Sequence, residues 1–351
     1  VLKPRGKTYG RGGCIRDTLC VLVSFLAASV WFITQPTWYS AIVAGLCATW
    51  IGLAVQHTAN HGALAGWPRV GFWLGMTDDL IGGSSLVWRY HHCVSHHLYT
   101  NDVGLDMDVF SSFPFVRLDP RQERKCWHRF QFIYAWILFF FFYTSIQIQE
   151  VGVMLDGPSI NGVKFIGASC FEIAMFWVLK AAHFGIYLAL PLWLHQNPLV
   201  IAYFFLFTAV GGFTLGVTFL VSHNLESVKP EMEASGDKQT GIAVGAADVN
   251  NVCGDWCKWQ IETSASWGGA IGSFFTGGLN LQIEHHLFPG VAHNCYPEIA
   301  LIIKDECKKR GVRYAGFDTL PGITMELGRF LYQMGKPDTP KSTGPDAPLL
   351  K

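Results

Sequence analysis

Seven of the chain's 13 histidines fall inside three short windows: His57 and His61 in HTANH, His92, His96 and His97 in HCVSHH, and His285 and His286 in QIEHH. A neutral imidazole is a metal ligand, and residues three or four apart share one face of a helix, so each window offers a pair of donors. On that spacing His57 and His61 bind one metal, as do His92 and His96, while His97 points one residue further round and reaches a second. The third window repeats the device with Gln282, His285 and His286 at i, i+3 and i+4. His223, in SHNLE, stands where an apolar run ends and is an eighth candidate ligand. Neutral imidazoles suit iron, zinc, copper and nickel alike; the windows hold a single cysteine, Cys93, against seven histidines, and eight nitrogens exceed the needs of one tetrahedral zinc. Divided between two metals they supply about four each, which leaves positions for O2 or a water. Asp78, Asp79, Asp102, Asp106, Asp108 and Glu284 are nearby acids able to accept the second ring N–H of these histidines. The other histidines carry less: His91 reads as supporting or structural, and His128, His195 and His293 as surface or loop residues. His183 and Lys180 lie inside an apolar run, where ionisable groups are functional by default, although a snorkelling lysine or a helix-to-helix hydrogen bond explains them equally well.

The elements that must carry these residues are apolar. Of 351 residues half are hydrophobic and 14% aromatic, and the mean hydropathy is positive, more than a soluble core needs. Acidic and basic residues balance at 26 each, so nothing points to nucleic acid. Ten cysteines are scattered without the close, even spacing of a disulfide framework. The segments 18–34 and 38–56 are charge-free and long enough to span a bilayer, and the tight turn Gln35-Pro36-Thr37 makes them a hairpin. Five basic residues before or at the start of the first span (Lys3, Arg5, Lys7, Arg11, Arg16) place the N-terminus in the cytosol. Segments 171–194 and 198–222 make a second hairpin. If 131–149 also crossed, His223 and the third window would lie on the opposite face from the first two windows, so 131–149 is expected to be interfacial or half-inserted. The expected architecture is an all-α integral membrane fold over residues 1–335. It has about four transmembrane helices in two hairpins, interfacial helices, and a cytosolic helical cap holding a dimetal site. Residues 336–351, rich in Pro, Lys and small residues, read as a disordered tail.

The sequence HxxxH, then HxxxHH followed by YTND, then QxxHH inside GGLNLQIEHHLFP, resembles the three histidine boxes of membrane fatty-acid desaturases over residues 35–300. Glutamine at the head of the third box is similar in particular to front-end desaturases, which insert a double bond between an existing one and the carboxyl end. The DWCKWQIETS stretch resembles algal and diatom members acting on very-long-chain polyunsaturated acyl groups at the Δ4, Δ5 or Δ6 position. The resemblance implies a diiron centre held by His57, His61, His92, His96, His97, His223, His285 and His286, with Gln282 in a catalytic role as a weak ligand or as the amide that orients a water. It implies O2 as co-substrate, electrons from NADH through a reductase and cytochrome b5 haem, and a polyunsaturated acyl substrate carried on CoA or a phospholipid. An endoplasmic-reticulum location with the site on the cytosolic face follows from the same likeness. No HPGG haem motif occurs in the chain, so the cytochrome b5 is expected as a separate protein or as a domain fused upstream of Val1.

Nearly the same boxes would serve a sphingolipid long-chain-base desaturase, an acetylenase or a lipid hydroxylase. A zinc-dependent membrane hydrolase or receptor needs about three ligands, not eight. A transporter would hold its polar residues near the bilayer midplane, whereas these stand past the helix ends.

Overall fold

A computed structural model describes residues 13–64, 66–157, 159–160, 163–228 and 256–337. Among the described residues four helices are long and apolar enough to cross a membrane: Cys14–Thr34, Trp38–Asn60, Cys170–His195 and Leu199–His223. The first two form one hairpin. Its turn is closed by a reciprocal cap, in which the Ser40 backbone N–H donates to Thr37 Oγ1 at 3.2 Å and the Thr37 N–H donates to Ser40 Oγ at 2.9 Å. Such a cap satisfies backbone donors that a helix start leaves unpaired. In the second hairpin Gln196 adopts the left-handed conformation (φ 48°) that ends one helix, and Asn197 Oδ1 accepts the Leu199 N–H to begin the next.

The Leu199–His223 helix is the hub, packing on the second span and on the Phe142–Leu155 helix. Glycines allow the approach: a Cβ on Gly45 would lie 2.6 Å from the Phe207 carbonyl oxygen, and one on Gly212 would lie 2.8 Å from that of Phe139. Without a hydrophobic force between helices in lipid, small residues at such contacts supply the close packing. The aromatic run expected over 131–149 is longer and broken. It forms Cys126–Phe139 and Phe142–Leu155, bent by 81° to one another. Its phenylalanines are not all lipid anchors: Phe139 is buried in the groove made by Gly212 and Gly216, while Phe141 is 61% exposed.

Lys180 and His183 turn inward. Lys180 Nζ donates to Glu150 Oε2 at 2.7 Å and to the Gly82 and Gly83 carbonyls at 2.6 and 3.0 Å. The His183 ring meets the Leu80 carbonyl at 3.2 Å. These bonds grip the Gly82–Gly83 turn, where Gly82 has φ +98° and a Cβ would strike Gln147 and His183. From that turn the chain enters the second histidine window, with Ser84 capping the Ser85–Trp88 helix.

A helical cap covers the end of the spans where Asn60, Cys170 and His223 lie. Two short parallel strands, Ala265–Trp267 and Ala315–Phe317, tie its late segments together. The Leu320–Gly335 helix buries Ile323, Leu327, Phe330 and Leu331 in the same core as Val221, Leu225 and Trp267. Of the expected tail, Lys336 and Pro337 are described and 338–351 lie outside the described residues.

Candidate metal centre

The histidine windows stand at the span ends, and π-helical turns set their register. The second span passes through a π-helical turn at Ile51–Gln56 before His57–Asn60. The second window is π-helical over Arg89–His96, and the His97 backbone N–H bonds the His92 carbonyl, an i to i+5 link. Residues five apart therefore stack. His97 Nε2 lies 3.1 Å from His92 Nε2 and 3.0 Å from His285 Nε2, and His92 Nε2 lies 3.2 Å from His57 Nε2. His57, His61, His92 and His285 offer ligand atoms within 4.8 Å of one another, and His97 adjoins them.

A second group is formed by His96, His223 and His286. Gln282 completes it, its side-chain amide 2.9 Å from His223 Nε2 and 3.4 Å from His286 Nε2. A third grouping, His92, His96 and Asp108, reuses rings already counted. All eight predicted histidines and Gln282 thus meet in one place. The α-helical spacing had paired His92 with His96 and sent His97 to the other metal. The π-helical register reverses this, joining His92 to His97 and turning His96 toward His223.

The arrangement fits two metal ions. Each imidazole Nε2 has a single in-plane site, filled by a proton or by a lone pair. A nitrogen facing two others, as in His92 and His97, can satisfy only one of them by hydrogen bonding. Lone pairs converging on one cation remove the conflict. Nitrogens about 2.1 Å from a metal and at right angles about it lie about 3.0 Å apart, close to the contacts observed. His61 Nε2 is buried with no hydrogen-bond partner among the described residues.

The outward nitrogens fix the tautomers. His286 Nδ1 donates to Gln260 Oε1 at 2.7 Å, His223 Nδ1 to the Thr263 carbonyl at 3.1 Å, and His96 Nδ1 to Asp106 at 3.2 Å. His285 Nδ1 pairs with the Tyr296 hydroxyl at 3.2 Å. With the proton held outward, Nε2 keeps its lone pair for a metal. Of the acids nominated, Asp106 and Asp108 face histidines, Asp108 accepting from His91 Nε2 at 2.8 Å. The rest do other work. Glu284 accepts from Tyr314 and Ser266, Asp79 from the Ser85 N–H, and Asp102 from the Gly104 N–H, while Asp78 lies against Gly83. Gln260, Thr263 and Tyr296 were not singled out from the sequence, although Gln260 and Thr263 sit in the WQIETS stretch that carried part of the family likeness. His128 and His293, expected at the surface, are buried. His128 accepts the Lys125 N–H, and the His293 ring meets the Thr58 hydroxyl at 3.2 Å.

Burial, with neighbouring imidazoles, holds His61, His92, His97, His285 and His286 below the usual histidine range, His61 down to about 3. They are neutral and available as ligands at any physiological pH. Burial also opposes charge on His96, but Asp106 and Asp108 outweigh it and raise that ring to about 9. Trp88 covers the first group, its ring stacked on His92 at 4.5 Å and edge-to-face with His61 at 5.2 Å.

The sequence that carries these histidine groups is matched among known proteins. Residues 34–317 fit the family model for fatty acid desaturases. The chain belongs to the fatty acid desaturase family. It is 46% identical over 292 residues to the chloroplastic acyl-lipid (7-3)-desaturase of Chlamydomonas reinhardtii, covering 83% of this chain and 54% of that protein. It is 31% identical to the sn-1 linoleoyl-lipid 6-desaturase of Synechocystis sp. over 91% of this chain and 88% of that one. A probable Delta(5) fatty acid desaturase C of Dictyostelium discoideum is 32% identical over 84% of this chain and 63% of its own length. This desaturase-family chain therefore spans about half the length of the Chlamydomonas relative and most of the Synechocystis one.

Proposed function

We propose that this chain is an O2-dependent front-end acyl desaturase that places a cis double bond, of the Δ4, Δ5 or Δ6 class, in a polyunsaturated acyl chain. The balance is R–CH2–CH2–R′ + O2 + 2 e⁻ + 2 H⁺ → R–CH=CH–R′ + 2 H2O. The observation that carries the reading is the pair of buried histidine groups with Nε2 contacts of 3.0–3.2 Å at the ends of apolar spans. The names of its relatives favour an acyl group esterified in a membrane lipid over one carried on CoA.

In this reading His57, His61, His92, His97 and His285 hold one iron, and His96, His223 and His286, with Gln282 beside them, hold the other. Bound iron supplies the activation of O2, which an unactivated C–H bond requires because it offers no acidity to a general base. The protein's own part is positional. Gln260, Thr263, Asp106 and Tyr296 keep the ring protons outward, and Trp88 shields the first group from water. The Gln282 amide is placed to orient a water or donate a weak oxygen ligand. Electrons come in this proposal from NADH through a reductase and cytochrome b5, separate or part of a longer protein.

The site is assigned to the cytosolic face of the endoplasmic reticulum. The bent pair Cys126–Phe139 and Phe142–Leu155 is read as a re-entrant segment, because an even number of crossings keeps all three windows on one face. The 81° bend supports that topology.

The test is fatty-acid analysis of yeast expressing the chain with a cytochrome b5 and fed a panel of polyunsaturated acids, beside a His285→Ala/His286→Ala control. A new double bond on the carboxyl side of an existing one, absent from the control, is expected. Hydroxylated product would move the protein to the sister chemistry, and purified protein without iron would end the diiron reading.

A further inference from the structure

Two stretches that carried the family likeness hold no ligand, YTND at 99–102 and WQIETS at 259–264. In the fold they lie against one another behind the second metal group. Trp259 Nε1 donates to the Thr100 carbonyl at 3.0 Å, Gln260 Nε2 to the His97 carbonyl at 2.9 Å, and Asn101 Nδ2 to the Thr263 carbonyl at 3.1 Å. Gln260 and Thr263 are the outer partners of His286 and His223, so this seam bears on where those two rings point.

Asn101 stands where the seam meets the outer partners of two rings. The Thr263 carbonyl oxygen accepts from Asn101 Nδ2 and from His223 Nδ1, each at 3.1 Å, and its two lone pairs serve both. From the backbone, the Asn101 N–H donates to Asp106 Oδ2 at 2.8 Å, and Asp106 faces His96 Nδ1 at 3.2 Å. The conformation that sends the N–H one way and the amide another is left-handed, with φ 64°, in a residue 4% exposed. Among the described residues Gln196, at the turn of the second hairpin, is the other non-glycine residue with positive φ. Asparagine is one of the few L residues that adopt this conformation readily. The residue type is thus accounted for twice, by the backbone it must take up and by the amide donor it supplies.

We propose that Asn101 is a positioning residue of the second metal group: it holds the Thr263 carbonyl toward His223 and the Asp106 carboxylate toward His96, and so fixes the tautomer and aim of both rings together. The proposal rests on the two-metal reading above and adds no ligand to it. A histidine binds metal through Nε2 only while its Nδ1 proton has an acceptor held in place. Asn101 acts one bond further out, on the acceptors themselves. Both of its arms end on rings of the second group, so the first group is expected to keep its metal when Asn101 is changed.

The purified full chain is loaded with ferrous iron in the absence of O2 and titrated with a chelator, reading metal retained per chain. Asn101→Gly keeps the left-handed turn and the N–H to Asp106 and removes only the side chain. Asn101→Asp keeps the size and tolerates the same backbone, but sets an oxygen against the Thr263 carbonyl. The wild type is expected to hold two metals. Asn101→Gly releases one of them at about 3–10-fold lower chelator concentration, Asn101→Asp lowers that midpoint at least as far, and the other metal leaves at the wild-type midpoint. A second measurement assigns the loss. In a His97→Ala/His285→Ala chain, whose remaining metal lies in the second group, Asn101→Gly lowers the midpoint by the same factor; in a His96→Ala/His223→Ala chain, whose metal lies in the first, it does not. If those chains fail to fold, the two-step titration of the single variants still decides. Midpoints within about twofold of wild type for both metals overturn the proposal, against the about 10–100-fold known for loss of a direct outer partner. An equal shift of both metals also overturns it, because that is a general loosening of the fold. A wild-type chain that binds no iron refutes the metal centre itself and the proposal with it, and the wild-type titration alone tells that outcome apart.

Discussion

Gln260 touches both histidine groups with one side chain, which makes its loss the most informative perturbation. It is fully buried; its Oε1 accepts from His286 Nδ1 at 2.7 Å and from Thr100 Oγ1 at 3.1 Å, and its Nε2 donates to the His97 carbonyl at 2.9 Å. Gln260→Ala leaves the His286 N–H with only the Thr100 hydroxyl, at 3.3 Å. A buried donor deprived of its partner costs about 1–3 kcal/mol, and loss of the outer partner of a metal-bound histidine costs about 10–100-fold in affinity. The two figures agree, since tenfold corresponds to about 1.4 kcal/mol. Gln260→Glu separates the contributions. It keeps the acceptor for His286 and the volume, but replaces the donor to the His97 carbonyl by an oxygen. Chelator titration of the purified protein, reading metal retained per chain, is the assay. Gln260→Ala is expected to lose the metal of the His96–His223–His286 group at about 10–100-fold lower chelator concentration, and Gln260→Glu to hold that metal better than the alanine variant. A midpoint for Gln260→Ala within twofold of wild type would refute the role given to this side chain.

Metal counting also tests the division of the rings. His97→Ala/His285→Ala strikes one group twice and should leave about one metal per chain by elemental analysis, whereas His96→Ala/His285→Ala strikes both and should leave almost none; equal content in the two would contradict the assignment. Lys180→Met strands Glu150 in the interior and should lower stability by about 3–5 kcal/mol, most of it recovered when Glu150→Leu is added. Thermal melting in detergent reads this, and a double variant no more stable than the single one would argue against an ion-pair clamp. Gly45→Val drives a side chain into the Phe207 carbonyl and is expected to cost about 1–3 kcal/mol or more, while Gly152→Ala, with nothing within 4 Å, should be tolerated. Comparable melting temperatures for these two would remove the close-packed seam from the account.

Much of the fold was legible because its signals are local. Apolar runs of bilayer length coincide within a few residues with the four long apolar helices, although the second continues to Asn60 and so carries the first window on its own end. That the eight histidines gather in one place was legible from residue type and clustering. What sequence did not convey is what lies outward of them. Asp106 and Asp108 were found because the chain folds back at once beneath the second window. Glu284 was misjudged although it sits beside His285, because its side chain leaves the helix toward Tyr314 and Ser266 while the two histidines face inward. Gln260 and Thr263 reach His286 and His223 from separate elements, and no spacing rule brings them there. His128 and His293 looked like loop residues and are buried because the cap closes over their loops.

The division of ligands between the two groups follows from the π-helical turn and could not be read from HxxxHH. In an α-helix His92 and His96 would share a face and His97 would stand aside. With an i to i+5 link, His92 and His97 share a face and His96 is the one turned away. The second window then splits at its terminal dipeptide, as the third window does at His285-His286. The two dipeptides have the same geometry: ring centroids 5.6 Å apart and planes at 83° for His96 and His97, 5.6 Å and 84° for His285 and His286. In each, one ring serves the first group and its covalent neighbour the second. Adjacent Cα atoms are held about 3.8 Å apart by the trans peptide, so the separation of the two centres is set twice over by the shortest spacer a chain possesses. A regular α-helix through the second window would divide the same dipeptide the other way, with His96 beside His92 and His97 in the second group. Two covalent links tie the groups in either register, and the π-helical turn decides which ring of His96 and His97 serves which group.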